Sequence, residues 1–300
     1  MIEVSVVVPF HNAESTLGAC LDAIGSQNIS RSTYEVIAVN DGSDDRSAEI
    51  ASRPGVRLLT QDNRGAPAAR NAGVREAVGE WIAFTDADCI PSRGWLRTLL
   101  ATVKSRKPAA LGAAGPVVGQ PSDARASRFV DISGGLDSER HLSHPRFPFA
   151  PSGNVMYRKS ALEAVGGFDE RFAAYDACDL HARLREKVGG EMLFSRSAVV
   201  IHRHRETWGE YWNQQVNYGR GLAQFYFTRS SEISWSALRE AKEWILLAPS
   251  AALACLPGKD DSALARRGTF LKRLAQRIGF TRTYFSAAER SRWKDEWAAR

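Results

Sequence analysis

The stretch Trp81–Cys89, WIAFTDADC, runs from an apolar segment directly into two carboxylates. Trp81–Thr85 has the composition of a buried strand, and Asp86 and Asp88 follow it one residue apart. In open α/β sheets, ligands bind outside the carboxyl ends of the strands. Two carboxylates at such an edge suit Mg²⁺ or Mn²⁺, whereas Asp is also common in turns and helix caps. The pattern therefore predicts either a divalent-cation site or an acidic turn at the end of a strand.

Strand-like and helical patterns alternate on both sides of this stretch, which predicts an α/β fold with a mostly parallel sheet. The predicted strands of the first part are Ile2–Pro9, Tyr34–Asn40, Val56–Thr60 and Trp81–Thr85, and the predicted helices are Glu14–Gln27, Arg46–Ser52 and Gly65–Val78. No G-x-G-x-x-G sequence follows the first strand, which weighs against a dinucleotide-dependent oxidoreductase.

The second part of the chain contains fewer strands and ends in helices. We predict strands at Ala109–Val118, Ser152–Tyr157 and Met192–His204, helices at Gly94–Lys104, Lys159–Val165, Asp176–Lys187 and Trp208–Phe227, and a loop-rich, mobile segment at Pro121–Phe149. These patterns favour a catalytic domain over residues 1–205 and a helical C-terminal extension over residues 206–300.

The positive charge of the chain is concentrated at its C-terminal end. The net charge is +6, and Pro257–Arg300 contains eleven Lys or Arg against five Asp or Glu, which accounts for the whole excess. Because a nucleic-acid enzyme is expected to carry its basic patch near its chemistry, this distribution argues against a nucleic-acid partner. Within the tail, Leu264–Ile278 has the pattern of a basic amphipathic helix, which either lies on an anionic membrane surface or packs on the domain.

Cysteine usage and the N-terminal sequence predict a cytoplasmic protein. The four cysteines have no paired spacing, which argues against a zinc site or a disulfide framework. Ile2 begins a strand-like run without a basic leader, so we expect no secretion signal. These features favour a cytoplasmic location. The basic tail adds the alternative that the protein associates peripherally with the inner face of the membrane.

Five segments, in this order, resemble the family 2 glycosyltransferases with the GT-A fold. They are VSVVVPFHNAESTL, EVIAVNDGSDD, DNRGAPAARNAG, WIAFTDADC and SGNVMYRKSALEAVGGFDERF. The resemblance covers Ile2–Arg205 and continues weakly to Gly221. It implies metal-dependent transfer of a sugar, with inversion, from a UDP- or dTDP-sugar to a hydroxyl of a glycan or a lipid-linked acceptor.

The resemblance also implies roles for individual residues on the donor side. The nucleoside is expected against Pro9, Phe10 and Glu14, with Asp41 accepting from a pyrimidine N–H or only capping the next helix. Arg70 is expected to reach a phosphate or the base, and Asn63 and Gly65 shape the loop before its helix. Asp86 is expected to face the ribose or a metal-bound water. Asp88 is expected to coordinate Mn²⁺ or Mg²⁺, with His202, or alternatively His204, as a further ligand.

The acceptor side departs from the family pattern. In FDERFAAYDACDL, Ala177 takes the position at which the family often has its general base. Asp176 is the first candidate for the base, unless it only caps the following helix, and Asp179 is the second. Asn154 is expected to border the donor sugar and the acceptor. The missing base leaves an alternative: a retaining or catalytically degenerate protein that binds a nucleotide or scaffolds a membrane assembly. The aromatic helix Trp208–Phe227 packs either within the chain or in a homo-oligomer.

Overall fold

The computed structural model describes residues 1–229, 232 and 236–294, so the last six residues of the predicted basic tail lie outside the described chain. The strands are β1 Val4–Phe10, β2 Tyr34–Asp41, β3 Arg57–Gln61, β4 Trp81–Phe84, β5 Cys89–Pro91, β6 Ala110–Ala114, β7 Val117–Gly119, β8 Val155–Arg158, β9 Glu191–Phe194 and β10 Val200–His202. The helices are α1 Leu17–Gly25, α2 Ser47–Ala51, α3 Ala66–Glu76, α4 Trp95–Lys104, α5 Arg125–Ile132, α6 Ser138–Leu142, α7 Lys159–Ala164, α8 Asp176–Lys187, α9 Trp208–Thr228, α10 Ala237–Ile245, α11 Leu247–Cys255, α12 Asp261–Tyr284 and α13 Ala287–Lys294.

Seven strands form a mostly parallel sheet in the order β3-β2-β1-β4-β8-β6-β9. The first four in this order run parallel to one another, β8 is antiparallel to both of its neighbours, and β9 is parallel to β6. The predicted α/β fold with a mostly parallel sheet and C-terminal helices is therefore confirmed.

Strand β1 lies at the centre of this sheet and is buried on both faces. Val4, Val6 and Val8 pack in the core cluster that also contains residues of α1 and α4, whereas Val7 packs in the opposite cluster with residues of α3 and α8. Because side chains alternate across a strand, burial on both faces requires an unbroken apolar run. This requirement explains the sequence VSVVVPF.

Three short strands form a second sheet in the order β5-β10-β7, and this sheet was not predicted. Each of the predicted strands Ala109–Val118 and Met192–His204 is in fact two strands, which belong to different sheets. Gly115 marks one of the breaks, since a Cβ there would lie 2.0 Å from the Ala198 carbonyl oxygen. The break allows β7 to leave the large sheet and to pair with β10.

The segment Pro121–Phe149, predicted as loop-rich, contains two helices that were not predicted, α5 and α6. Helix α6 begins after Asp137, whose side chain accepts a hydrogen bond from the Arg140 amide. An Asp at this position stabilises a helix N-terminus. The helices were missed because they are only eight and five residues long.

The chain divides into two compact units that do not follow a single cut in the sequence. The first comprises residues 1–120, 136–171 and 176–203, and the second comprises residues 121–135, 172–175 and 204–300. The chain passes from one unit to the other several times, and the last passage, between residues 203 and 204, lies near the expected boundary at residue 205.

The second unit is built on the close packing of α9 and α12. A Cβ at Gly219 would lie 2.0 Å from the Gln276 carbonyl oxygen, and one at Gly279 would lie 2.0 Å from that of Val216. The predicted basic amphipathic segment is therefore part of a longer helix whose buried positions include Leu264, Gly268 and Ala275. Within the described chain, none of the helices combines the length and the apolar character needed to cross a bilayer.

Candidate active site

The end of β4 and the strand pair β5–β10 bring Asp88 and His202 together. Cys89 pairs with His202 in the antiparallel register of β5 and β10, and the Arg203 amide donates to the Asp88 carbonyl oxygen over 2.9 Å. The His202 Nε2 atom consequently lies 3.5 Å from Asp88 Oδ2. Both side chains remain partly exposed, at 12% and 18%. A carboxylate and an imidazole in this arrangement can bind a divalent cation.

Cys89 completes a group of three candidate ligands, whose atoms all lie within 4.8 Å of one another. The sequence did not single it out. Burial raises the pKa of the Cys89 thiol well above its ordinary value, and the carboxylates of Asp86 and Asp88 raise it further. Since the thiolate is the metal-binding form, the donor set that suits Mn²⁺ or Mg²⁺ is Asp88 with His202.

Arg70 connects two carboxylates that belong to different elements. Its guanidinium donates to Asp86 Oδ1 over 3.0 Å and to Asp176 Oδ2 over 2.9 Å, and its side chain is only 7% exposed. Burial alone would lower the pKa of Arg70, but Asp86 and Asp176 raise it, so the group stays charged. Its two bonds allow Arg70 to position both carboxylates, and its expected contact with a phosphate or the base stays a prediction.

Asp176, the first residue of α8, is held at the site by this arginine. The residue before it, Tyr175, has a φ of +67°, in the left-handed region that few residues other than Gly adopt. Burial raises the pKa of Asp176, Arg70 opposes that shift, and Asp86 adds to it. A carboxylate whose pKa is raised towards the working pH is a better proton acceptor than one at its ordinary pKa.

Asp179, the second candidate base, has a different environment. Its Oδ2 atom accepts from Arg183 Nε over 2.7 Å, and the two side chains are 5% and 11% exposed. Arg183 also donates to the carbonyl oxygens of Val165 and Gly167. The carboxylate of Asp179 belongs to a buried ion pair one turn along the same helix, and this environment favours Asp176 over Asp179 as the candidate base.

Asp41 organises the loop that was expected to border the nucleotide. Its carboxylate accepts from the amides of Arg64 and Gly65 over 2.9 and 2.8 Å, and from the Gln61 side chain. Gly65, with a φ of +91°, then begins α3. Asn63 lies in the same loop, exposed and next to His11. Asp41 thus fixes the positions of Asn63 and Gly65, and its contact with a base stays a prediction.

Pro9 and Phe10, which were expected against the nucleoside, are buried at the end of β1, and their contact with a nucleoside stays a prediction. Phe10 belongs to a core cluster. A strand at the centre of the sheet has both faces covered, which accounts for this burial. Glu14 is exposed and accepts from the Arg46 amide over 3.1 Å, and its role at the nucleoside stays a prediction.

Asn154, which was expected to border the donor sugar and the acceptor, has a structural environment, and its contact with either substrate stays a prediction. Its side chain is fully buried, donates to the carbonyl oxygens of Pro116 and Ala198, and accepts from Trp95 Nε1 over 2.8 Å. The preceding residue, Gly153, was not predicted as a site residue. A Cβ there would lie 3.2 Å from Asp86 Oδ2. The SGN segment therefore contributes a small residue beside Asp86 and a buried structural amide.

His204, the alternative metal ligand, belongs to the second unit. Its Nε2 atom lies 3.2 Å from Asp131 Oδ1, and its side chain is 4% exposed. Of the two histidines, His202 is the one that lies beside Asp88. The choice between them was open in the sequence because both end the same strand-like run.

Two solved structures with bound nucleotide-sugars share this fold. The mannosyltransferase PcManGT of Pyrobaculum calidifontis, solved with GDP-Man and Mn²⁺, matches with a TM-score of 0.65 and 21% identity over 94% of this chain and 86% of that chain. TarS of S. aureus (residues 1–349), solved with UDP-GlcNAc, matches with a TM-score of 0.55 and 15% identity over 93% of this chain and 91% of that chain. At these identities the likeness establishes the fold.

Curated sequences give a consistent result. Glycosyltransferase AglE of Haloferax volcanii is 28% identical over 81% of this chain and 80% of its own length. The pre-mycofactocin glycosyltransferase of Mycobacterium tuberculosis is 28% identical over 74% of this chain, which spans 47% of that relative. The model of the family described as glycosyl transferase family 2 matches residues 5–166, more than half of the chain. The chain therefore belongs to glycosyl transferase family 2.

Proposed function

We propose that this glycosyltransferase moves a sugar from a nucleoside-diphosphate sugar to a hydroxyl acceptor with inversion, and that Asp176 is the general base. The observation that carries the proposal is the link from Asp86 through Arg70 to Asp176. This link holds a carboxylate with a raised pKa beside the acids at the end of β4. In this arrangement Asp176 can accept a proton while Asp86 and Asp88 serve the donor.

In the proposed reaction, the acceptor hydroxyl gives its proton to Asp176. Its oxygen forms a bond with the anomeric carbon, while the bond from that carbon to the diphosphate oxygen breaks on the opposite face. The electron pair of the broken bond leaves with the nucleoside diphosphate. Asp176 must lie within hydrogen-bond reach of the acceptor oxygen for this step. Arg70 keeps the carboxylate in place without touching the reacting atoms.

Asp88 and His202 are the residues that would hold Mn²⁺ or Mg²⁺. The fit rests on their donor atoms, a carboxylate oxygen and an imidazole nitrogen 3.5 Å apart on partly exposed side chains. When bound, such an ion would supply Lewis-acid neutralisation of charge on the departing diphosphate. Asp86, the more exposed of the two acids, is free on its Oδ2 side to face the ribose or a metal-bound water, as the sequence predicted.

The donor is the part of the proposal with the widest choice. The sequence favours a UDP- or dTDP-sugar, whereas one solved structure of the same fold contains GDP-Man and another contains UDP-GlcNAc. The acceptor is proposed to be a glycan or a lipid-linked sugar. A panel of GDP-, UDP- and dTDP-sugars therefore covers the candidates.

The test measures release of nucleoside diphosphate from this panel with Mn²⁺ or Mg²⁺. We expect release from at least one donor, a loss of about 10²-fold or more in Asp88→Ala, and no change in the control Asp22→Ala, which removes a surface acid of α1. Absence of release from every donor, with thermal stability unaffected by any nucleotide, would reject the proposal. A thermal shift with a nucleotide but no turnover would support the degenerate alternative.

Inversion is tested separately. The anomeric configuration of the product, read by NMR, is expected to be opposite to that of the donor. Retained configuration would favour the retaining alternative, which Ala177 at the usual position of the base suggests.

A further inference from the structure

The second unit exposes an apolar surface on α10 and α11. Leu238, Ile245, Leu246, Leu253 and Leu256, called here the α10–α11 face, are between 42% and 84% exposed. Leu253 lies within α11, and Leu246 and Leu256 are the residues that flank this helix at its two ends. Exposed apolar residues that cluster in this way mark a site of interaction.

The composition of α11 makes its exposure unusual. Residues 244–258 contain no charged side chain, yet only Leu247 and Ser250 of the helix are buried. A helix that is apolar on all sides is normally buried or lies in a membrane. The side of α11 opposite Leu247 and Ser250 consequently needs an apolar environment that the described chain does not provide.

The helices that present this face are held firmly to α12. Glu240 of α10 is 7% exposed and accepts from Arg277 over 2.7 Å and from Thr281 over 3.1 Å. Arg266 and Arg267 donate to the carbonyl oxygens of Leu253 and Ala254 at the end of α11. The surface is therefore a built feature of the second unit.

Positively charged residues are in excess in the segment that carries the α10–α11 face, and two of them contact the end of α11. Residues 236–294 contain twelve Lys or Arg against five Asp or Glu. Arg266 and Arg267 lie at the carbonyl end of α11, while Lys259 and Lys272 are exposed on the segments that follow it. Apolar side chains beside cations match the chemistry of a leaflet that contains anionic lipids, in which the acyl region accepts the former and the headgroups attract the latter.

We propose that the α10–α11 face inserts into the interface of an anionic lipid bilayer. This location differs from that suggested by the sequence, which pointed to residues 264–278 of α12. Part of the apolar side of α12 is used within the unit, as Leu264, Ala275 and Phe280 are buried. Nine residues of helix are about 14 Å long, so α11 suits a position along the interface. The proposal does not depend on the transfer reaction.

Cys255 offers a direct probe of the insertion. It is exposed at the end of α11, whereas Cys20, Cys89 and Cys178 are buried. A polarity-sensitive fluorophore attached to Cys255 should shift its emission to the blue when vesicles of phosphatidylcholine and phosphatidylglycerol are added to the full chain. No shift with bound vesicles would overturn the proposal. A shift that depends on protein concentration without vesicles would also overturn it, because it would show that a second copy covers the face.

Vesicle co-sedimentation with variants separates the apolar and electrostatic contributions. The triple variant Ile245→Gln, Leu253→Gln, Leu256→Gln should bind at least about 10-fold more weakly. The matched control Val78→Gln, Val188→Gln, which changes exposed apolar residues of the first unit, should bind like the wild type. Equal binding by both variants would overturn the proposal. Circular dichroism melting checks that each variant is folded.

The charge variant Lys259→Gln, Lys272→Gln, Arg273→Gln should weaken binding about fivefold for each charge removed. Its control, Arg93→Gln, Arg97→Gln, Arg106→Gln, removes three exposed cations from the first unit and should have no effect. Binding to phosphatidylcholine alone that equals binding to the anionic mixture would contradict the electrostatic part. Since none of these measurements uses turnover, their failure is distinct from failure of the proposed reaction.

Discussion

Helix α8 begins with two aspartates, three residues apart, that face different arginines. Asp176 shares Arg70 with Asp86, so that cluster contains two acids for one arginine, and Asp86 is 33% exposed. Asp179 accepts from Arg183 Nε, and Arg183 Nη1 donates to the backbone carbonyl oxygens of Val165 and Gly167. The first cluster has two carboxylates for one guanidinium and reaches solvent, whereas the carboxylate and the guanidinium of the second are both closed off from solvent. The comparison teaches that the partners of a carboxylate decide between chemistry and stability.

The largest effect is expected at Asp176. Asp176→Asn should lower kcat about 10³-fold, because general-base catalysis typically contributes 10² to 10⁴. Steady-state release of nucleoside diphosphate measures it, with Glu163→Gln on the surface of α7 as the control. If Asp176→Asn keeps more than a tenth of the wild-type rate, the general base is another group. The two clusters would then not differ in catalytic role.

Asp179→Asn should act on stability instead. Breaking a buried ion pair by removing one partner typically costs 3 to 5 kcal/mol, so we expect the free energy of unfolding to fall by about 3 kcal/mol. Urea denaturation measures the loss, and kcat per folded molecule should change less than about threefold. A rate loss as large as that of Asp176→Asn, in a variant as stable as the wild type, would contradict the structural role.

Arg70→Lys sharpens the comparison by keeping the charge while removing the two-armed geometry. We expect kcat to fall about 10- to 100-fold, because Asp176 loses its fixed position, and KM for the donor to change little. The matched variant Arg183→Lys in the closed cluster should lower stability more than kcat. A rise in KM for the donor with unchanged kcat would instead support the contact between Arg70 and the donor that the sequence suggested.

His181 extends the contrast to pH. It is buried in α8 beside the Tyr157 hydroxyl, and burial lowers its pKa from 6.5 to about 3, with Arg185 contributing. Below pH 6.5 the unfolded chain takes up a proton that the folded chain refuses. Stability present at pH 7 is therefore lost as the pH falls towards 3.

The comparison variant is His181→Gln. The difference in unfolding free energy between the wild type and this variant should shrink by about 2 kcal/mol between pH 6.5 and pH 5, since each pKa unit corresponds to about 1.4 kcal/mol. Urea denaturation at both pH values measures the difference. A difference that stays constant would show that His181 is protonated in the folded state.

The sequence predicted those parts of the molecule whose signals are local. The apolar run of β1 and the acids after β4 are continuous stretches, and their element types were confirmed. The partners of Asn154 come from three separate segments, at Trp95, Pro116 and Ala198, so no local pattern could reveal them. The second partner of Arg70 is likewise 106 residues away.

The helical tail shows the same limit in a different form. The amphipathic pattern of α12 correctly indicated an apolar side, and α11 lies in a segment without charged residues. Which of these helices finds a partner within the chain depends on packing, because each has enough apolar residues to be buried. Packing decided that α12 lies against α9, whereas much of α11 stays exposed.

The glycine contacts between α9 and α12 have a mechanical consequence. Gly219 of α9 lies against the backbone of Gln276, and Gly279 of α12 lies against the backbone of Val216. Each helix thus contributes one glycine at which the other helix approaches closely. If one helix shifted by a residue along the other, a side chain would take the place of a glycine and would clash with a carbonyl oxygen. The two contacts therefore fix the register of α9 and α12. Any graft, truncation or domain exchange in this enzyme should therefore carry both helices together.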